Sequence, residues 1–283
     1  MAMAAVAIAM VVGSLFLAGP VSAQAVESGS FSFTSDPGDD IGDGHSYSYN
    51  TNAGDEMTVI GYEEQSIETV IDGTDGYDWH FSISGPAGEA LAPGTYTITR
   101  AESTPGISLW RPEVFCTGIG SFTINKIEWG PSGYVHALDA TFEYHCWGAP
   151  PATRGQLHIL NPPPPPSLKL GLTVAGGGKV SEADGSAKLH GTVKCNKAAN
   201  VGIDGTIVQT RKGQRVEGEF TQEFACTPGA RIPWTATVAP PEGMTFHKGH
   251  ARIRSSASGE DNDYGTVTTV KNATVVSLTV QKT

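Results

Sequence analysis

Four aspartates, Asp36, Asp39, Asp40 and Asp43, fall within eight positions of the stretch SDPGDDIGDGHSYSYN at residues 35–50. Two chemistries compete for them. A calcium ion takes about six to eight oxygens at about 2.3–2.6 Å, and glycines such as Gly38, Gly42 and Gly44 let a short loop fold round it. Carboxylates this dense repel one another unless something neutralises them. The alternative is a polar turn in which Asp39 accepts hydrogen bonds from nearby backbone N–H groups. The spacing fails the EF-hand pattern, because Ile41 takes the third position counted from Asp39. The expectation is a turn first, and a structural calcium site only where the carboxylates meet; no other cofactor is expected. Asp72, Asp75 and Asp78 in DGTDGYD, and Asp261 and Asp263 in EDNDYG, are thinner versions that read as loops.

Aromatic rings are the second kind of site. Trp110 in SLWRPEVF and Trp147, just after Cys146, fall in segments that read as irregular. Exposed there, each ring would offer a face on which a sugar stacks, with polar side chains alongside. The competing expectation is that they plug the ends of a sandwich, since lone aromatics usually pack. Trp79 alternates with Phe81 and Ile83 in YDWHFSIS and reads as core. The eight histidines are scattered, and a transition-metal site is not expected from them.

Signatures of catalysis are missing: the chain has no GxSxG, HExxH, P-loop or GxGxxG motif. Glycoside hydrolysis needs two carboxyls facing each other across a cleft, and the many acids here do not single out a pair. The reading therefore favours a secreted, non-catalytic binding or surface-interaction protein, with an extracellular glycan or a cell-surface protein as partner. An extracellular polysaccharide hydrolase and a structural envelope protein are the alternatives.

Charge narrows the partners. Residues 24–160 carry 19 acidic and 4 basic side chains, and the first Lys or Arg of the chain is Arg100. Residues 161–283 carry 14 basic and 10 acidic ones without a clustered stripe. Nucleic acid is not expected, because phosphate binding needs Lys and Arg.

The opening segment, residues 1–25, is apolar and closes on small residues, so it reads as a signal peptide cleaved after Ala23 or Ala25. It lacks the usual basic start, and a membrane anchor is the competing reading. No other run approaches the length of a membrane span, so the processed chain is expected to be extracellular. Export agrees with four cysteines, Cys116, Cys146, Cys195 and Cys226, and with no CxxC. Of the three possible pairings, the proline run NPPPPPS at 161–167 favours 116–146 and 195–226, one bridge on each side. Each would close a loop of about 30 residues, worth roughly 3–4 kcal/mol in the chain-entropy model.

That proline run is the clearest boundary, a polyproline II spacer between two domains. On both sides, short alternating runs separated by Gly, Pro, Asn and Asp mark an all-β chain. Residues 26–160 are expected to form about nine strands in a jelly-roll-like β-sandwich. The slipped alternation of FTINKIEW predicts a bulge there. Residues 168–283 are expected to form about seven strands in an immunoglobulin-like β-sandwich, the last strand broken near Lys271.

SDPGDDIGDGHSYSYN, LAPGTYTITR, CTGIGSFTI and TFEYHCWGAPPATRGQL together resemble an uncharacterised bacterial secreted domain with SxPGDxIG, PGTYT and FEQHC…RGE elements, found in actinobacteria among others. The likeness covers roughly residues 30–160 and departs at Trp147, where a polar or acidic residue is expected. Residues 168–283, with DGSAKLHGTVKC, EGEFTQEFAC and WTATVAP, are similar to an actinobacterial secreted immunoglobulin-like domain. Both resemblances imply export and β-structure, and neither brings a catalytic residue.

Overall fold

The computed structural model describes residues 23–99 and 105–281, so most of the expected leader, and Arg100, lie outside the described residues. Among the described residues the chain is built of β-strands, with two single-turn 3-10 segments at Thr51–Ala53 and Pro131–Gly133.

The first eleven strands are β1 (Gln24–Ala25), β2 (Ser28–Ser35), β3 (Ser46–Asn50), β4 (Glu56–Tyr62), β5 (Ser66–Asp72), β6 (Asp78–Ser84), β7 (Gly94–Ile98), β8 (Gly106–Trp110), β9 (Gly118–Trp129), β10 (Val135–Cys146) and β11 (Thr153–Leu160). They form a five-stranded sheet, β1-β4-β5-β6-β8, and a six-stranded sheet, β3-β2-β11-β10-β9-β7. The period-2 alternation decides which faces meet. Phe31, Trp79, Phe81, Phe122, Tyr144 and Leu157 turn inward to one core, while Ser, Thr and charged residues at the intervening positions face out. Trp79 is fully buried and its indole N–H donates to the Tyr49 hydroxyl at 2.8 Å. The bulge expected in FTINKIEW is present: Asp139 pairs with Lys126 and Ala140 with Ile124, leaving Asn125 unopposed.

The remaining strands are β12 (Leu170–Val174), β13 (Gly177–Val180), β14 (Ala187–Cys195), β15 (Ala199–Arg211), β16 (Gln214–Cys226), β17 (Ile232–Val238), β18 (Gly249–Asp261) and β19 (Thr266–Val280). They hydrogen-bond in the order β12-β14-β13-β19-β18-β15-β16, with β17 on β14; β13–β19 is parallel. A second, separate hydrophobic cluster fills this sandwich, centred on Trp234 stacked over Phe220 at 5.8 Å. The expected break near Lys271 does not occur. β19 runs unbroken because β18 pairs with it from Asp261 to Gly249, and that ladder overrides the local polarity of Lys271 and Asn272.

Disulfides join Cys116 to Cys146 and Cys195 to Cys226. Between the sandwiches the proline run is held on both sides. The Tyr134 hydroxyl donates to the Pro162 carbonyl at 3.0 Å and that of Tyr264 to the Pro165 carbonyl. The Lys197 ammonium donates to the Pro166 carbonyl at 3.2 Å. Proline supplies carbonyls and no N–H, so such a segment can only be tied down by donors from its neighbours. Among the described residues no helix is long and apolar enough to cross a membrane.

Candidate functional site at the pole opposite the linker

β10 runs the length of the first sandwich. Val135, at one end, lies beside Asn161, which leads into the linker; Cys146 is at the other, about 36 Å away at 3.3 Å per residue. Three segments gather at that far pole: the Asp loop 36–45, residues 111–117 and the turn 146–152. The Cys116–Cys146 disulfide joins two of them, with Cα atoms 5.6 Å apart, and Trp147 N–H donates to the Thr117 carbonyl at 2.9 Å. The loop at 36–45 joins through Asp36, whose N–H donates to the Ala152 carbonyl and whose carboxylate accepts from Ala152 N–H.

Each cysteine has an exposed aromatic neighbour on its outer side. Phe115 is 72% and Trp147 62% exposed, the most exposed aromatic side chains among the described residues. Trp147 opens a tight turn in which Ala149 N–H returns to the Cys146 carbonyl at 2.9 Å. Both central residues have positive φ, 56° at Trp147 and 70° at Gly148. Gly is at home there, whereas a bulky L-residue is not. The backbone thus holds the indole outward at a conformational cost. Tyr77, 38% exposed, borders this region through Arg111, whose guanidinium lies 4.7 Å from the Tyr77 ring.

A polar relay supports the turn from the outer face of the six-stranded sheet. His145 Nδ1 meets the Ala149 carbonyl at 3.0 Å and Nε2 meets Glu143 at 3.0 Å. Glu143 accepts from Arg154 Nε at 2.7 Å, and Arg154 reaches Asp36 at 3.1 Å. A carbonyl and a carboxylate can only accept, so this geometry calls for both ring N–H groups, the imidazolium form. Accordingly, the bond to Glu143 raises the His145 pKa. Glu143 is held below its usual range by the bonds from His145 and Arg154, and Asp36 by those from Arg154 and Ala152. Beneath the relay, Tyr144 is buried and donates to the Cys116 carbonyl at 2.7 Å. Burial pushes its phenol up to about 12.

The four aspartates of the opening stretch go to different tasks. Asp39 is buried, and one of its oxygens accepts from Ile41 N–H, Gly42 N–H and the Thr153 hydroxyl. Ile41 is buried beside it and anchors the loop in the core. Asp36 belongs to Arg154. Asp40 and Asp43 are exposed. Among the described residues no three His, Cys, Asp or Glu side chains converge as metal ligands.

Trp110 is not in an irregular segment. It ends β8, on the outer face of the five-stranded sheet, half-buried, with its ring stacked on His80 at 3.8 Å and 8°. That face also carries Glu68, which accepts from the Tyr62 hydroxyl at 3.1 Å. Asp72 and Asp78 are cross-strand partners there, and burial, then Asp78 and Glu56, raise the Asp72 pKa. The two acids sit side by side on an open sheet face, unlike the opposed pair that glycoside hydrolysis requires. Trp110 and Trp147 therefore do not share a platform, and the aromatic paired with Trp147 across the disulfide is Phe115. Its signal was its place, next to a cysteine and three residues beyond a proline.

The chain matches no protein-family model, and none of the curated proteins is significantly similar to it.

Proposed function

We propose that this is an exported, non-catalytic binding protein that engages an extracellular glycan through the pole opposite the linker. One observation carries the reading: the two most exposed aromatic rings flank a single disulfide at the end of the first sandwich farthest from the second. Solvent-exposed rings held by a cross-link lose little entropy on binding, and a sugar ring stacks on such faces. Glu143 and Arg154, half-exposed in the relay that supports the Trp147 turn, add hydrogen-bonding groups for hydroxyls. The net negative charge of residues 24–160 suits a neutral ligand better than an anionic one. Two disulfides fit an oxidising compartment, and the sequence resemblance to bacterial secreted domains supports the same location.

Screening wild type and the double variant Phe115→Ala/Trp147→Ala against a panel of immobilised neutral oligosaccharides tests this. A hit that wild type gives and the folded variant loses is the expected result. Binding confined to proteins of a cell surface, or glycan binding unchanged in the variant, overturns it.

A further inference from the structure

The outer face of β16-β15-β18-β19 forms an open trough of about 650 Å³. Its inward-facing residues, Ile203, Ile207, Phe220 and Ile253, are buried in the core, so the intervening positions point away from it. Those outward positions sort by charge, with Arg215 on β16 and Glu260 on β18 as the exceptions. Asp204 on β15 and Glu217 and Glu219 on β16 make one half acidic; Arg252 and Arg254 on β18 and Lys271 on β19 make the other half basic. All six are exposed. The register places them in rows: Glu219 pairs with Thr206 and Thr206 with Arg254, while Glu217 pairs with Val208 and Val208 with Arg252. One intervening strand thus separates each acid from its base. Among the described residues, Arg252, Arg254 and Lys271 have no carboxylate within ion-pair distance, and only Glu217 of the acids is paired, with Arg215. Thr206 and Val208 lie between the charges, and Ala273 and the 58%-exposed Val275 flank the arginines on β19.

We infer that this face is a self-association surface on which two copies of the chain pack sheet against sheet. A two-fold axis parallel to the strands and running between β15 and β18 lays the acidic half of each copy over the basic half of the other. Asp204 then faces the neighbourhood of Arg254 in the second copy, Glu219 that of Lys271, and Glu217 that of Arg252. An in-plane axis perpendicular to the strands would instead set acid over acid, so the charges select one of the two arrangements. The glutamates on β16, the terminal strand of its sheet, also oppose edge-to-edge pairing, which would bring like charges together. Four strands about 4.8 Å apart and eight residues long give a footprint of about 500 Å² before side-chain relief. That is below the ~800 Å² per partner of a standard interface and fits a moderate, salt-sensitive dimer.

Sedimentation of the full chain over a concentration series reaching ~100 µM, in low and high salt, reads the association. The expected result is a mass twice that of the chain in low salt, falling towards the monomer in high salt. Arg254→Glu/Lys271→Glu should be monomeric, as should Asp204→Lys/Glu219→Lys, each melting at the midpoint of the wild-type monomer in high salt. Mixing the two variants should restore a dimer, because one face is then mainly acidic and the other mainly basic. A wild type monomeric throughout, variants that still dimerise, or a mixture that stays monomeric overturns the inference. Should a variant fail to fold, the wild-type salt and concentration series decides by itself.

Discussion

Trp147 occupies a backbone position that a bulky L-residue resists, with φ at 56° inside a two-residue turn. Left-handed backbone costs such a residue about 1–2 kcal/mol, and glycine escapes the cost. Trp147→Gly should therefore melt no lower than wild type, and by this reasoning up to about 1 kcal/mol more stably, while losing ligand. A variant destabilised by more than about 1 kcal/mol would mean that the indole packs rather than presents itself. His145 gives a second residue-scale test. Its folded pKa is raised, so its contribution to stability is complete below the unfolded value of about 6.5 and fades as pH rises through the folded one. Glu143 and Asp36, whose pKa values are lowered, contribute above about pH 4.3 and lose their contribution as pH falls. The turn is thus firmest between about pH 5 and 6.5. An NMR titration should put the His145 midpoint above 6.5, and Glu143→Gln should bring it down. A midpoint at or below 6.5 in wild type contradicts the relay.

Among the elements, alternation made most strands legible. Ala187–Cys195 and Ile232–Val238 alternate strictly, because one face of each is buried and period 2 is then unambiguous. Gly106–Trp110 escaped notice because a proline on either side, Pro105 and Pro112, made a short strand read as irregular. Gly177–Val180 carries little local signal, because its glycines have no side chains to alternate. The stacking of Trp110 on His80 depends on the register between β6 and β8, a long-range fact that no local stretch encodes. Gly191 is a similar case: a Cβ there would lie 2.0 Å from the Thr173 carbonyl and 2.7 Å from the Trp234 ring. Gly191→Ala must displace backbone on β12 or the core tryptophan, and should cost about 1–3 kcal/mol as overpacking. A neutral result in chemical denaturation would show that the β12–β14 pair yields more easily than its packing implies. The loop at 36–45 shows what charge density alone conceals. The loop reads as a turn first and a cation site second; Asp36 is bonded to Arg154, and one oxygen of Asp39 accepts from backbone N–H groups. Thermal transitions in calcium and in chelator should superimpose; a rise in the midpoint with calcium contradicts that division of labour.

At the scale of the molecule, the proline run acts as a clamped strut rather than a loose tether. Tyr134 grips it from the first sandwich, and Tyr264, Lys197 and Asn196 from the second. Lys197 is in turn fixed by Asp261, a buried acid that also accepts from Leu168 N–H at 2.6 Å. A strut of this kind directs the aromatic pole away from the second sandwich. Pairing of two copies through the β16-β15-β18-β19 face would leave both poles free and let them bind a polymeric glycan with avidity. Co-sedimentation with insoluble bacterial cell-wall polysaccharide compares the two aromatic sites of the first sandwich in one assay. Phe115→Ala/Trp147→Ala should weaken binding at least about tenfold, roughly 1.4 kcal/mol, while Trp110→Phe on the opposite sheet leaves it unchanged. Equal binding by wild type and the pole variant, or loss on changing Trp110 alone, would contradict a binding site at the disulfide-linked pole.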